Sequence, residues 1–131
     1  MDGEKTAAGR LPDAELEVML AVWRCAPPVT TARLMLLTDP DRSWKTSTVI
    51  SFLERLKNRG FLAAEKQGRE YVWTPLVRRE DYVGSVTREF FARVHGGSVG
   101  SLMSSLFPDG LSPEDADGLL RWLDGTGGAW K

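Results

Sequence analysis

The chain of 131 residues contains a single cysteine and a single histidine, and it has no long run of apolar residues. One cysteine, Cys25, excludes an internal disulfide and any metal site built from several cysteines. A membrane span needs roughly 18 to 20 apolar residues in succession, and the segment from Met1 to Lys5 lacks the apolar stretch of a secretion signal. We therefore expect a cytoplasmic protein that makes no membrane contact and binds no metal or other cofactor.

Catalytic groups are equally scarce. An enzyme would need a nucleophile next to a base, a pair of carboxylates in a cleft, or a metal cluster. His95, the only histidine, stands just before Gly96 and Gly97 at the expected end of a helix. A histidine suits that position because it interacts favourably with the last carbonyls and with the helix dipole. The sequence therefore predicts a protein that is not an enzyme.

The segment from Thr46 to Arg59 predicts an amphipathic helix that ends at Gly60, since glycine favours the residue after a helix C-terminus. Its apolar residues recur at helical spacing on one core-facing stripe, namely Val49, Phe52, Leu53 and Leu56. The opposite side and its flanks carry Ser47, Thr48, Ile50, Ser51, Glu54, Arg55 and Asn58. Hydroxyls and one exposed aliphatic side chain suit base edges and thymine methyls in a major groove. The residues of this face therefore favour DNA over other partners.

A short basic hairpin follows this helix. Phe61 to Lys66 and Arg69 to Thr74 predict its strands, and Gly68 supplies the turn. The segment from Arg42 to Arg69 contains seven basic and two acidic residues, whereas the whole chain has a formal net charge of −1. A local positive field of this kind suits DNA phosphates, although a solvated hairpin that happens to be basic is the alternative. The predicted phosphate contacts are Lys45, Thr46, Arg55, Lys66 and Arg69.

Two further helices are predicted before the reading helix. Asp13 to Trp23 places Leu16, Met19, Leu20 and Trp23 on one stripe. After Thr30, a plausible N-cap, a short helix should run from Thr31 to Leu37, and residues 38–43 should form a turn. Helix, helix, turn, helix and wing make a winged helix-turn-helix whose third helix reads DNA. We assign this DNA-binding domain to residues 11–75 and expect residues 1–10 to be disordered.

The second half of the chain is helical and acidic. Residues 76–131 hold six basic and eight acidic side chains, so this half does not suit phosphate. Helices are predicted at Arg79 to His95, Val99 to Phe107 and Pro113 to Asp124, the last with Ser112 as N-cap and Gly125 as its end. Residues 76–124 would form a helical domain, and residues 125–131 a tail. The predicted fold class is mainly α with a small β-hairpin.

Three short helices with broad apolar faces cannot bury all of that surface in about fifty residues. Pairing with a second copy would cover it, and a two-fold dimer would place two reading helices on a palindromic site. The alternative is a monomer whose second half folds back on the first. The predicted dimer interface consists of Val83, Val86, Phe90, Val94, Leu102, Leu106, Leu119, Leu120 and Leu123.

The chain from Leu11 to Trp122 resembles the penicillinase repressor (BlaI/MecI) family. The resemblance rests on residues 11–19 with Trp23, residues 47–56 with Gly60, residues 68–71 and residues 73–75. It implies a dimeric winged-helix repressor of antibiotic-resistance or cell-envelope stress genes that binds palindromes built around TACA and TGTA. It also implies base-reading positions at Ser47, Thr48, Ile50 and Ser51.

The inducing signal is not implied by the resemblance. In the resistance repressors of this family a protease cuts an Asn-Phe bond, and the matching residues here are Ser105 and Leu106. The copper-responsive relatives carry C-terminal cysteines that this chain lacks. A regulatory protease or another inducer therefore remains open as a partner. The alternative functions are a ligand sensor with a cavity lined by Phe90, Met103 and Trp122, and a winged helix for protein contact, which would not need Lys66 and Arg69.

Overall fold

The computed structural model of this chain describes residues 9–126, so most of the expected N-terminal disorder and C-terminal tail lies outside the described residues. Its elements are α1 (Asp13–Arg24), α2 (Thr31–Met35), a 3-10 turn (Pro40–Arg42), α3 (Thr46–Asn58), β1 (Leu62–Gln67), β2 (Glu70–Pro75), α4 (Arg79–His95), α5 (Val99–Leu106) and α6 (Pro113–Thr126). The two strands pair antiparallel in one hairpin. The predicted fold class, mainly α with a small β-hairpin, is confirmed.

Helix α1 lies at the centre of the core. Val18 and Met19 are fully buried, and so is Val22 one turn later. The stripe predicted from the sequence does not coincide with these buried residues, because two of its members, Leu16 and Trp23, are only partly buried. The difference has a tertiary cause: α1 is covered on more than one side, so a single apolar stripe does not describe it.

The short helix α2 begins as the sequence predicts. The Thr30 side chain accepts a hydrogen bond from the backbone N–H of Arg33 at 3.3 Å, which is an N-cap contact. The helix ends at Met35, two residues earlier than expected from the sequence. The following turn contains a 3-10 helix of three residues, capped by the Asp39 carboxylate through the N–H of Asp41. The helix-turn-helix order is confirmed.

Helix α3 ends in a Schellman motif. The N–H of Phe61 donates to the carbonyl of Leu56 at 2.9 Å, and the N–H of Gly60 donates to that of Lys57 at 3.0 Å. Gly60 has a φ of 88°, as this motif requires. Val49 and Leu53 are completely buried on the core side of the helix. The predicted helix end and core face are therefore confirmed.

The hairpin continues directly from this motif. Leu62 pairs with Pro75 at its base and Gln67 pairs with Glu70 at its tip. The two-residue turn is Gly68–Arg69, so Arg69 lies in the turn and not at the start of the second strand as predicted. Gly68 takes a φ of 67° while Arg69 keeps a negative φ, a combination typical of a type II′ turn.

Trp73 anchors the hairpin to the helices. Its side chain is buried, its indole N–H donates to the Thr31 hydroxyl at 3.3 Å, and its backbone N–H donates to the Val29 carbonyl at 2.8 Å. An isolated antiparallel bridge between Thr30 and Val72 adds a third contact. The wing is therefore fixed at its base, while Tyr71 nearer the tip is 49% exposed.

The chain divides into two compact units within α4, between Arg88 and Glu89. The first turns of α4, which the sequence assigned to the C-terminal domain, pack on the core of the first unit. The hydroxyl of Tyr82 accepts a hydrogen bond from the N–H of Leu11 at 2.9 Å, and its ring lies against Trp23 and Phe61. A strong tertiary contact thus places this part of α4 with the winged helix.

The second unit consists of the end of α4 with α5 and α6. Ser98 caps α5, and Ser112 caps α6 as predicted, each through a backbone N–H three residues later. Helix α6 continues through Gly125 to Thr126, beyond the predicted end at Asp124. No residue from 89 to 125 is fully buried. His95 is the last residue of α4, as expected, and its Nδ1 also contacts the Ser101 hydroxyl at 2.8 Å.

Candidate nucleic-acid interface

The outer face of α3 is open to solvent. Ser47 and Ser51 are exposed, and Ile50 is 40% exposed although it is aliphatic. Thr48, the fourth predicted base-reading residue, is half-buried. All four lie in the first two turns of the helix. Short hydroxyl side chains beside one exposed aliphatic side chain present the hydrogen-bonding groups and the apolar surface that bases in a major groove require.

An aromatic pair supports this end of the helix. The ring of Trp44, just before α3, lies 5.1 Å from the ring of Phe52. The guanidinium of Arg55 lies over Phe52 at 5.6 Å, and that of Arg42 lies over Trp44 at 5.0 Å. Contacts of cations with ring faces at such distances are attractive. Arg55, a predicted phosphate contact, is therefore held by the ring beside it.

Ion pairs divide the seven basic residues between Arg42 and Arg69 into two groups. Three of them have carboxylate partners, with distances of 2.7 Å for Arg42–Glu17, 3.2 Å for Lys57–Glu54 and 2.7 Å for Arg59–Glu15. Within the part of the chain that the structure describes, no ion-pair partner is found for Lys45, Arg55, Lys66 and Arg69. These four are the cations that the sequence predicted to contact phosphate, so the structure separates them from the paired ones.

The wing carries two of these four cations. Lys66 is exposed near the end of β1 and lies opposite Tyr71 in the hairpin register, and Arg69 is exposed in the turn. An added Cβ on Gly68 would meet no atom within 4 Å, so the backbone conformation and not the available space favours glycine there. The wing thus presents two exposed cations near its tip while its base is fixed by Trp73.

The paired residues were missed by the sequence reasoning. Glu17 and Arg42 are 25 residues apart, and Glu15 and Arg59 are 44 residues apart. Neither spacing has a local periodicity, because each pair joins α1 to a segment beside α3. Only the tertiary fold brings these carboxylates to the two ends of the reading helix.

The other site hypotheses receive little support from the described residues. Phe90 and Trp122, proposed to line a ligand cavity, are 38% and 44% exposed. A cavity of about 360 Å³ lies elsewhere, in the first unit between Trp23 and residues 75–80. In residues 9–126 no helix is long and apolar enough to cross a membrane. The same residues contain no cluster of three or more His, Cys, Asp or Glu side chains suited to a metal ion.

A helix-turn-helix followed by an anchored basic hairpin, with an open polar face on its third helix, defines a winged-helix DNA-binding protein. The family model described as penicillinase repressor matches residues 11–125 of this chain. The chain therefore belongs to the penicillinase repressor family, whose members are DNA-binding transcriptional repressors and not enzymes.

Two relatives illustrate the similarity. The chain is 30% identical over 116 residues to the penicillinase repressor of Bacillus licheniformis, an alignment that covers 88% of this chain and 90% of the relative. It is also 32% identical over 93 residues to an uncharacterised 16.5 kDa protein in the ptsI 3′ region of Latilactobacillus sakei. That second alignment covers 71% of this chain and 63% of the relative.

Proposed function

We propose that this repressor is a cytoplasmic homodimer that binds a palindromic operator of the TACA/TGTA type and occludes a promoter. The observation that carries the proposal is the separation of charges around α3. Lys45, Arg55, Lys66 and Arg69 have no carboxylate partner among the described residues; Lys45 precedes the reading helix, Arg55 lies on it, and Lys66 and Arg69 lie on the wing. Base reading falls to Ser47, Thr48, Ile50 and Ser51, and phosphate contact to the four cations together with Thr46.

The second unit supports the dimer. With no fully buried residue between positions 89 and 125, it lacks a core of its own. Its exposed large apolar side chains are Phe90, Val94, Val99, Leu106, Leu111, Leu120, Trp122 and Leu123. Burying this surface against a second copy of the chain would stabilise both copies and present two reading helices to a symmetric site.

The predicted interface residues fall into two groups. Val83 and Val86 are partly buried and pack against the core of the first unit. Phe90, Val94 and Leu106 are exposed in the second unit, as are Leu120 and Leu123. Leu102 and Leu119 are half-buried there. We assign the dimer contact to the exposed group, because these side chains gain most from leaving water.

The regulated genes are proposed from the family resemblance to be β-lactam-resistance or cell-envelope stress genes. Ser105 and Leu106 replace the Asn-Phe bond at the end of α5, and Leu106 is 58% exposed. Release would follow from a regulatory protease that accepts this bond or from another inducer. Incubating the repressor with the candidate protease and sequencing any fragment separates the two routes.

The experiment that tests the proposed function is a paired binding titration. The protein is titrated against a duplex with a TACA/TGTA palindrome and against a scrambled duplex of equal length, at fixed salt. We expect tighter binding to the palindrome, with two protomers per duplex. Equal affinity for both duplexes would refute the operator assignment, and a stoichiometry of one protomer would refute the dimer.

A further inference from the structure

Glu17 and Arg42 form an ion pair that the proposed DNA contacts do not use. Both Nε and Nη2 of Arg42 contact the Oε1 atom of Glu17, at 2.9 and 2.7 Å. The guanidinium of Arg42 also lies over the ring of Trp44, with its carbon atom 5.0 Å from the ring centre. A carboxylate and an aromatic ring thus fix one cation in the turn that leads into α3.

This cation lies close in sequence to the proposed DNA contacts. Arg42 precedes Lys45 by three residues, and Trp44, on which it stacks, packs against Phe52 of the reading helix. Its side chain keeps 43% of its surface exposed, against 27% for Glu17. Arg42 is therefore accessible to a phosphate, and its charge is compensated by the Glu17 carboxylate beside it.

We propose that Glu17 withholds Arg42 from DNA phosphates and so limits the sequence-independent part of DNA binding. The inference rests on the proposed function in that it needs α3 and its preceding turn to face DNA. Non-specific affinity comes almost entirely from cations that meet phosphates. A further uncompensated arginine beside the reading helix would strengthen binding to every sequence and would add no information about bases.

The expected size follows from counterion release. A plot of the logarithm of the binding constant against the logarithm of the salt concentration falls with a slope of about 0.9 for each phosphate contact. Taking 1 M salt as the reference, at which such a contact adds nothing, one additional contact strengthens binding at 0.15 M salt by about five-fold. Removing the Glu17 charge should therefore raise non-specific affinity by about five-fold per protomer and steepen the salt slope by about 0.9 per protomer. A loss of folding would act in the opposite direction, because it lowers affinity.

The test compares the wild-type protein with four variants on a scrambled duplex over a series of salt concentrations. The first variant is Glu17→Gln, which keeps the side-chain size and removes the charge. The second is Arg42→Gln, which removes no phosphate contact but leaves the Glu17 carboxylate uncompensated, so we expect weaker binding that the third variant restores. The third is the double variant, in which the gain of Glu17→Gln should disappear. The matched control is Asp117→Asn, which removes one carboxylate charge from the Asp117–Arg121 pair in α6.

Each outcome decides the proposal. A gain in Glu17→Gln that exceeds the gain in Asp117→Asn and that vanishes in the double variant supports it. An unchanged salt slope in folded Glu17→Gln overturns it. If Glu17→Gln does not fold, the double variant, which leaves no unpaired charge at this pair, still decides: a slope shallower than that of the wild type by about 0.9 per protomer would mean that Arg42 already contacts phosphate and would overturn the proposal. Failure of the wild-type protein to prefer the palindrome would instead refute the proposed function.

Discussion

Glu15, in the first turn of α1, accepts a hydrogen bond of 2.7 Å from Nε of Arg59, the residue at the C-cap of the reading helix. The carboxylate side chain is only 5% exposed, whereas the arginine side chain is 45% exposed. A buried carboxylate is tolerated because it is paired. The pair therefore joins the beginning of α1 to the end of α3.

Changing Arg59 to Ala should destabilise the protein by about 1 to 3 kcal/mol, because the buried carboxylate of Glu15 loses its charged hydrogen-bond partner. Urea unfolding followed by circular dichroism measures the change. Arg121→Ala is the matched control, since it breaks an exposed pair with Asp117 that should contribute less than about 1 kcal/mol. Equal effects of the two substitutions would contradict the role of burial.

Tyr82→Phe should cost about 1 to 3 kcal/mol of stability, because the buried N–H of Leu11 would lose its acceptor while the ring contacts remain. Tyr71→Phe serves as the control, since Tyr71 is 49% exposed on the wing and its hydroxyl can bond to water. The same urea titration compares the two. A neutral Tyr82→Phe would mean that the start of α4 does not hold the N-terminal segment in place.

Replacing Leu120 and Leu123 together by Glu should convert the proposed dimer into a monomer at micromolar concentration. These side chains are 61% and 51% exposed, so the charges would cost the separate protomer little but would be buried in the dimer. Sedimentation velocity measures the mass. The control is Leu36→Glu, which changes an 85% exposed leucine in the first unit and should leave the mass unaltered.

Arg69→Ala should weaken binding to operator and scrambled DNA by the same factor, about five-fold per protomer at 0.15 M salt, with a salt slope shallower by about 0.9 per protomer. The reason is that Arg69 lies in the wing turn with no carboxylate partner among the described residues. Fluorescence anisotropy over several salt concentrations tests this. Loss of discrimination between the two duplexes would show that the wing reads bases.

Ile50→Ala should lower operator affinity by about 1 kcal/mol per half-site, which is the low end of the usual cost of one mismatched base pair. The exposed aliphatic side chain would lose a contact with a thymine methyl. Affinity for scrambled DNA should stay within two-fold, a rough bound set by unaltered phosphate contacts. Thr48→Ala should act in the same direction, although the half-buried position of Thr48 makes Ile50 the cleaner probe. An unchanged ratio of the two affinities would remove α3 from base reading.

Local rules predicted much of this fold. The Schellman end of α3 at Gly60, the cap of α2 by Thr30 and the cap of α6 by Ser112 each follow from a few neighbouring residues. The outer face of α3 followed from helical periodicity alone. Such features are set by contacts within one turn, so a single sequence is sufficient to find them.

Features that depend on distant contacts could not be predicted in this way. The buried position of Tyr82 results from its contacts with Leu11, Trp23 and Phe61, none of which is near it in sequence. The division of the cations into paired and unpaired groups depends in part on two carboxylates of α1, which meet Arg42 and Arg59 only after folding. The sequence showed an excess of positive charge but not which arginines are compensated.

The lack of any fully buried residue between positions 89 and 125 has a consequence for the living cell. A unit without its own core depends on its partner, so in the proposed dimer the stability of the repressor rises with its concentration. Dilution by growth would then produce separated chains, which unfold more often and are open to proteases. Removal of those chains lowers the concentration further. The decline of the repressor would therefore accelerate as it proceeds, and a gradual loss of protein would become an abrupt onset of transcription.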